Sequence, residues 1–214
     1  MILSVEWKGG DMTRFKMIFL TSAILFLAII GFAPVHSAFA DEVEETIQEG
    51  LDAYKDGSYT DAAGSLDYAA QLIRQKKGGQ LEAVLPQPLP GWTAEEASSS
   101  AMGAAMFGGG VSVERQYTKA GSRVTVQIIT DSPMLQGVMM MFSNPAFATA
   151  DGGRLEKIKG KKAIVKYQAS RKSGEIQMII ANRFLITIEG FQVEKADLKN
   201  YAQEIDFKTL LNMM

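Results

Sequence analysis

Apolar positions along this chain fall into two different rhythms. Val43, Ile47, Gly50, Leu51 and Tyr54 recur at the three-and-four spacing of a helix face. Asp41-x-x-Glu44 places acids at the start, where a helix end is electropositive. Asp56-Gly57-Ser58 then predicts a turn. Ser58-x-x-Asp61 predicts the cap of a second helix, whose stripe is Ala62, Leu66, Ala69, Ala70 and Ile73. Small residues at 50, 53, 62 and 69 allow two such helices to approach closely. A helical hairpin is therefore expected over residues 41–76.

The rhythm changes after Leu85-Pro-Gln-Pro-Leu-Pro-Gly91. Three prolines in five positions stop a helix and favour extended backbone, so 77–90 reads as a linker. Beyond it, over 91–214, alternation takes over. Val111–Tyr117 and Arg123–Thr130 alternate about the turn Lys119-Ala-Gly-Ser122 and predict a hairpin of strands. Ser132-Pro133 opens a helix with the stripe Leu135, Val138, Met139 and Phe142, and Asn144-Pro145 ends it. Leu155–Ile158, Lys162–Ala169, Glu175–Ala181 and Phe184–Glu189 are further strands. A last helix starts near Glu194, with Leu198, Tyr201, Ala202 and Ile205 facing inward. The expected fold class is α+β: an antiparallel sheet of five or six strands with helices packed on one face.

The first forty residues follow neither rhythm. Lys8, Arg14 and Lys16 precede an apolar run from Met17 to Ala33, broken by Pro34 and followed by Ala38-Phe-Ala40. A basic flank, an apolar segment and small residues before a cut are the parts of a signal peptide. Residues 1–40 are expected to be removed after Ala40, giving a periplasmic or secreted protein. An uncleaved membrane anchor is the alternative, since the run approaches the length of a span. Translation can start at Met1 or Met12.

Removing this segment changes the available chemistry. The chain of 214 residues has no Cys, and its one His, His36, lies in the leader. A protein starting at Asp41 has neither. That excludes disulfides, thiol and histidine catalysis within one chain, and conventional zinc, haem and blue-copper sites. The residues present point to no catalytic residue, no metal and no cofactor, and the expectation is a protein that is not an enzyme.

Charge is divided along the chain. Residues 41–72 carry nine acids and one base; residues 154–172 carry eight bases and one acid, Glu156. Lys159, Lys161, Lys162 and Lys166 of the basic stretch are candidates for contact with an acidic protein or an anionic lipid surface. Alternation also explains this stretch, with Ala163, Val165 and Tyr167 facing one way and Lys162, Lys166 and Gln168 the other. The opposite charges suggest that the acidic hairpin screens the basic surface within one molecule. Nucleic acid fits poorly, because no aromatic stacking pattern accompanies the lysines.

Methionine is the other unusual feature. Met134, Met139, Met140 and Met141 share one predicted helix, and Met102 and Met106 lie in the Gly/Ala/Ser-rich stretch 97–110. That stretch reads as a mobile loop or a fraying helix, with Met106-Phe107 available to a partner. Clustered thioethers can hold Cu(I), but Met more often fills cores or lines adaptable apolar surfaces. Met102, Met106, Phe107, Met134, Met140 and Met141 are the candidate partner or ligand surface.

At Gly50, Asp56-Gly57-Ser58-Tyr59, Ala62-Ala-Gly-Ser-Leu66 and Ala69, the first unit resembles one tetratricopeptide repeat, about residues 43–76. It departs from the pattern at Thr46 and Glu49, and no Pro closes it. A single repeat cannot bury both its faces, so the resemblance implies packing on the following domain or on a partner protein. The element order of residues 91–214, with Asn182–Gly190 and Leu198-x-x-Tyr-Ala202, is similar to PsbP- and Mog1-like α/β sandwiches and to small secreted bacterial domains of unknown function. That resemblance implies binding or scaffolding. The expected function is an exported, non-catalytic protein-interaction or envelope scaffolding protein, with an envelope protein as partner. The alternative is a periplasmic carrier of an apolar or lipid ligand, using the Met-rich helix and loop 97–110.

Overall fold

A computed structural model describes residues 41–101, 110–144, 146, 149 and 152–213. Residues 1–40, read above as the leader, and Met102, Met106 and Phe107 lie outside the described residues. Residues 42–214 cluster as one compact unit.

The chain opens with helix α1 (Glu42–Lys55) and helix α2 (Tyr59–Glu82). They form the expected antiparallel hairpin around the turn at Gly57, whose φ of +78° suits glycine. Gly50 faces α2 so closely that a Cβ there would lie 2.9 Å from Leu66 Cγ. Val43, Thr46, Ala62 and Ala69 are buried along the same seam. Small side chains on both helices bring the two backbones together.

The second helix does not stop at 76. It runs through Lys76-Lys-Gly-Gly-Gln80 to Glu82. The proline segment after it is not a free linker either: Leu81, Val84 and Leu85 are buried in the main core. The Val84 and Leu85 N–H groups donate to the Leu81 and Glu82 carbonyls in the turn that closes the helix, while Pro88 and Pro90 beyond it are exposed. The Pro86 carbonyl accepts a hydrogen bond from the buried Tyr117 hydroxyl at 2.6 Å.

Among the described residues eight strands follow in one antiparallel sheet: β1 (Thr93–Ala94), β2 (Ser98–Ala101), β3 (Val111–Lys119), β4 (Ser122–Thr130), β5 (Arg154–Ile158), β6 (Lys161–Gln168), β7 (Ser173–Ile180) and β8 (Phe184–Phe191). The order in space is β1-β3-β4-β8-β7-β6-β5, with β2 also paired to β3 on the edge it shares with β1. Five or six strands were expected; β1 and β2 are the additions. Ala97-Ser-Ser-Ser-Ala101, expected as loop or fraying helix, has no alternating pattern. Part of it becomes a strand because β3 offers an unpaired edge at Val111–Glu114.

Strand alternation divides the sheet into two faces. The inner face carries Val113, Ile128, Ile186, Met178 and Ala163 in one rung, aligned by register across five strands. Helix α4 (Lys195–Glu204) and helix α5 (Phe207–Asn212) cover it. Leu198, Tyr201, Ala202 and Ile205 are fully buried, as the last stripe predicted. Trp92 packs edge-on against Tyr201 at 5.5 Å between ring centroids, and Tyr117 lies 4.4 Å from Tyr201. Burial pushes the Tyr201 phenol up to about 12, because the phenolate would lose its hydration. Helix α3 (Met134–Ser143) borders the outer face: Met139 and Phe142 line one cleft with Ile179, an outer-face residue.

Candidate docking surfaces

The hairpin leaves an apolar stripe in water. Ile47 is 41% exposed, Leu51 44% and Tyr54 61%, at successive turns of α1. Leu66 and Ile73 of α2 are nearly half exposed, and Tyr59 more so. The Tyr54 and Tyr59 rings meet at 5.7 Å, continuing the stripe around the turn. The predicted stripe is therefore present but only partly used: Val43 and the small residues face the seam, while the larger apolar side chains face out. Exposed apolar side chains in such a row make it a candidate contact site. The surroundings are acidic. Asp52 is held below the usual carboxylate range by hydrogen bonds from Gln48 and Lys55. Tyr68 donates to Glu42 at 2.9 Å across the hairpin.

Only the far end of α2 meets the sheet. Gly78 lies against Ser99 of β2, where a Cβ would come within 2.9 Å of the serine Cβ. Lys77 and Arg183 both pair with Asp131, the residue after β4, the latter at 3.0 Å. Burial alone would raise the Asp131 pKa, but the hydrogen bonds and charges of Lys77 and Arg183 prevail and hold it below 3.8. This knot fixes the base of the hairpin to the start of β8 and the end of β4.

The basic strands lie elsewhere. β5 is the sheet edge opposite β2, six strand steps or about 29 Å away. The expected screening of the basic surface by the chain's own hairpin is not what the fold makes: α2 rests on β2 and β3, and α1 packs on α2. The basic residues also divide between faces. Lys157 and Lys162 are register partners on the outer face, two rows from Lys166. Like charges opposed on a rung disfavour the isolated sheet. The ammonium groups of Lys157, Lys161 and Lys162 have no hydrogen-bond or ion-pair partner among the described residues. Lys159 is used within the fold: its ammonium donates to the Ile205 carbonyl at 3.2 Å and lies 5.4 Å from the Phe207 ring centroid. Glu156, the one acid of the stretch, is on the inner side, paired with Lys195 at 2.6 Å and Lys199 at 2.5 Å.

The Met helix is split as well. Met134 and Met140 are 56% and 71% exposed, Met141 is half-buried, and Leu135 is the buried anchor. Met139 and Phe142 instead border an open cleft of about 370 Å³ with Ser143, Lys162, Ile179 and Asn182. Lys162 thus joins the Met helix to the basic strands, which the sequence treated as separate surfaces. Ile179 and Phe142 were missed as cleft residues, because sequence spacing does not tell which strand a helix will border.

A second depression, about 460 Å³, lies over the outer face between Gln116, Thr125, Glu175 and Glu189. Arg123 stacks on Phe191 at its rim, 5.9 Å from the ring centroid. Glu175 and Glu189 share one rung. Among the described residues no three acids converge as metal ligands, and no helix is long and apolar enough to cross a membrane.

Comparison of the chain with protein families, curated proteins and solved structures finds no match.

Proposed function

We propose that this chain is an exported, non-catalytic interaction or scaffolding protein of the cell envelope, and that its tetratricopeptide-like hairpin is the docking element. One observation carries the reading: Ile47, Leu51 and Tyr54 form an exposed apolar row beside the packed strip of Val43, Thr46 and Gly50 on the same helix. Exposed apolar rows of this spacing fit a groove or another helix. The base of the hairpin is tied to the sheet through Gly78 and Asp131, so the element is presented from a fixed mount. Export rests on the apolar run and Ala38-Phe-Ala40 of the leader.

The carrier reading has less support. Three of the six residues lining the cleft beside α3 are polar, and the cleft is open to solvent, whereas carrier sites enclose most of an apolar ligand.

The test places a photo-activatable side chain at Leu51, with a second at the exposed Gln203 on α4 as control. Cross-linking to a defined protein in the envelope from position 51 and not from 203 is the expected result. Equal labelling from both positions, or labelling of lipid alone, would remove the docking reading. Sequencing the N-terminus of the exported protein checks the cut after Ala40.

A further inference from the structure

The hairpin stripe has a complementary surface on the same chain that its own hairpin does not fill. We propose that the cleft beside α3 receives the apolar, acidic face of α1 from a second copy of this chain. The inference rests on the docking reading of the hairpin and names its partner.

Three observations meet here. The first is shape and polarity. Ile47, Leu51 and Tyr54 extend over about 10 Å of helix, two turns. The cleft offers Met139, Phe142 and Ile179 as its apolar wall, and Met is the side chain best able to adapt to such a guest.

The second is charge. Residues 41–72 sum to −8 and residues 154–172 to +7, from the residue counts of each stretch. Part of that positive charge sits at the cleft: Lys162 lines it, and Lys157 stands opposite Lys162 on the same rung. Both ammonium groups lack a partner among the described residues. The neighbouring acid Glu156 points to the other face and is occupied by Lys195 and Lys199. Glu44, one turn before Ile47, is a neighbour of the stripe on the helix surface. An incoming α1 would bring carboxylates to the two lysines and relieve their mutual repulsion. Exposed Leu155, one row along on the same face, would be covered in the same contact.

The third is topology. The hairpin rises from the β2 side of the sheet and the lysines lie on its β5 edge. Ile47, Leu51 and Tyr54 are exposed while the cleft stands open, so the two surfaces do not meet within one molecule. Complementary surfaces kept apart on one chain join between copies, and the contact is heterologous.

Sedimentation of the chain from Asp41, which holds the whole compact unit, tests this. Self-association with a dissociation constant on the order of 10 µM is expected, the range of a small interface with charged rims. Raising salt from about 0.05 M to about 0.5 M weakens it about tenfold or more. Leu51→Ser and the pair Lys157→Glu/Lys162→Glu each abolish self-association. All three positions are exposed, and circular dichroism checks that the variants fold. The decisive arm mixes the two variants. Each lacks one half of the contact, so the mixture recovers a one-to-one complex that neither forms alone. A wild-type chain that stays monomeric to about 100 µM, ten times the expected constant, overturns the proposal. So does association indifferent to the lysine changes, or a mixture that stays monomeric. If the chain is monomeric but Leu51 still cross-links a foreign envelope protein, the docking function stands and only the second-copy partner is lost. If both experiments fail, both readings fall.

Discussion

Two adjacent glycines measure how the hairpin is mounted. Gly78 and Gly79 both lie inside α2, so replacing either by Ala gains helix propensity of about 0.5–1 kcal/mol. Their surroundings differ. A Cβ at Gly79 meets nothing within 4 Å. A Cβ at Gly78 would lie 2.9 Å from Ser99 Cβ, 3.1 Å from Ser99 Oγ and 3.6 Å from Val111 Cγ1. The first contact is too short, and the atom it strikes is next to the backbone of β2. Overpacking of this kind costs about 1–3 kcal/mol. Gly79→Ala should therefore stabilise by about 0.5–1 kcal/mol, while Gly78→Ala is neutral to destabilising by about 2 kcal/mol. The difference between them, about 1–3 kcal/mol, is free of the propensity term they share. Urea denaturation followed by far-ultraviolet circular dichroism reads it, and for a chain of this size about 2–4 °C in Tm accompanies each kcal/mol. Equal stabilisation by both substitutions would show that α2 does not lie on β2 at Gly78.

The remaining predictions concern the mount, the core and the stripe. Asp131 has a folded pKa below its ordinary 3.8, so its ion pairs contribute stability above that value and lose it as pH falls through the folded pKa; Asp131→Asn should flatten the acid limb of a stability–pH curve and cost about 1 kcal/mol at pH 7, solvent screening included. An unchanged acid limb would remove the knot from the account. Tyr117→Phe deletes the 2.6 Å bond to the Pro86 carbonyl, leaving it only the 3.4 Å bond from Arg115, and should cost about 1–2 kcal/mol, more than Tyr201→Phe, whose hydroxyl accepts only a long 3.4 Å bond from the Leu89 N–H. Equal losses by denaturant titration would contradict that ranking. Leu51→Ser should shift stability by less than about 0.5 kcal/mol, since the side chain is exposed; a large loss would mean that Leu51 is core rather than docking surface.

The partner surfaces were only half legible in the sequence. Lys162 was recognisable as a basic outer-face residue because strand alternation assigns it to the side away from Ala163 and Val165. Met139 was assigned to an inward stripe, and Ile179 to no surface at all. That they share a cleft with Lys162 depends on β6 lying beside β7 and on α3 crossing to the outer face, neither of which is a local property. Lys159 looks the same as Lys162 in sequence, yet it is spent on the Ile205 carbonyl, a residue 46 positions away.

Periodicity by itself determined the hairpin, the β3–β4 pair, the strands from 154 to 191 and the inward stripe of α4, because each is a local pattern of burial that one face must satisfy. It also divided the charge, −8 at one end and +7 at the other. Three things were decided only by the tertiary structure. Gly78, Val84, Leu85 and Pro86 became buried structure, because β2 and Tyr117 supply contacts that a linker would lack. Ser98–Ala101 became a strand because β3 had a free edge. The acidic and basic regions ended on opposite sides of the sheet, because strand order, which no local pattern specifies, sets where each side chain meets its neighbours.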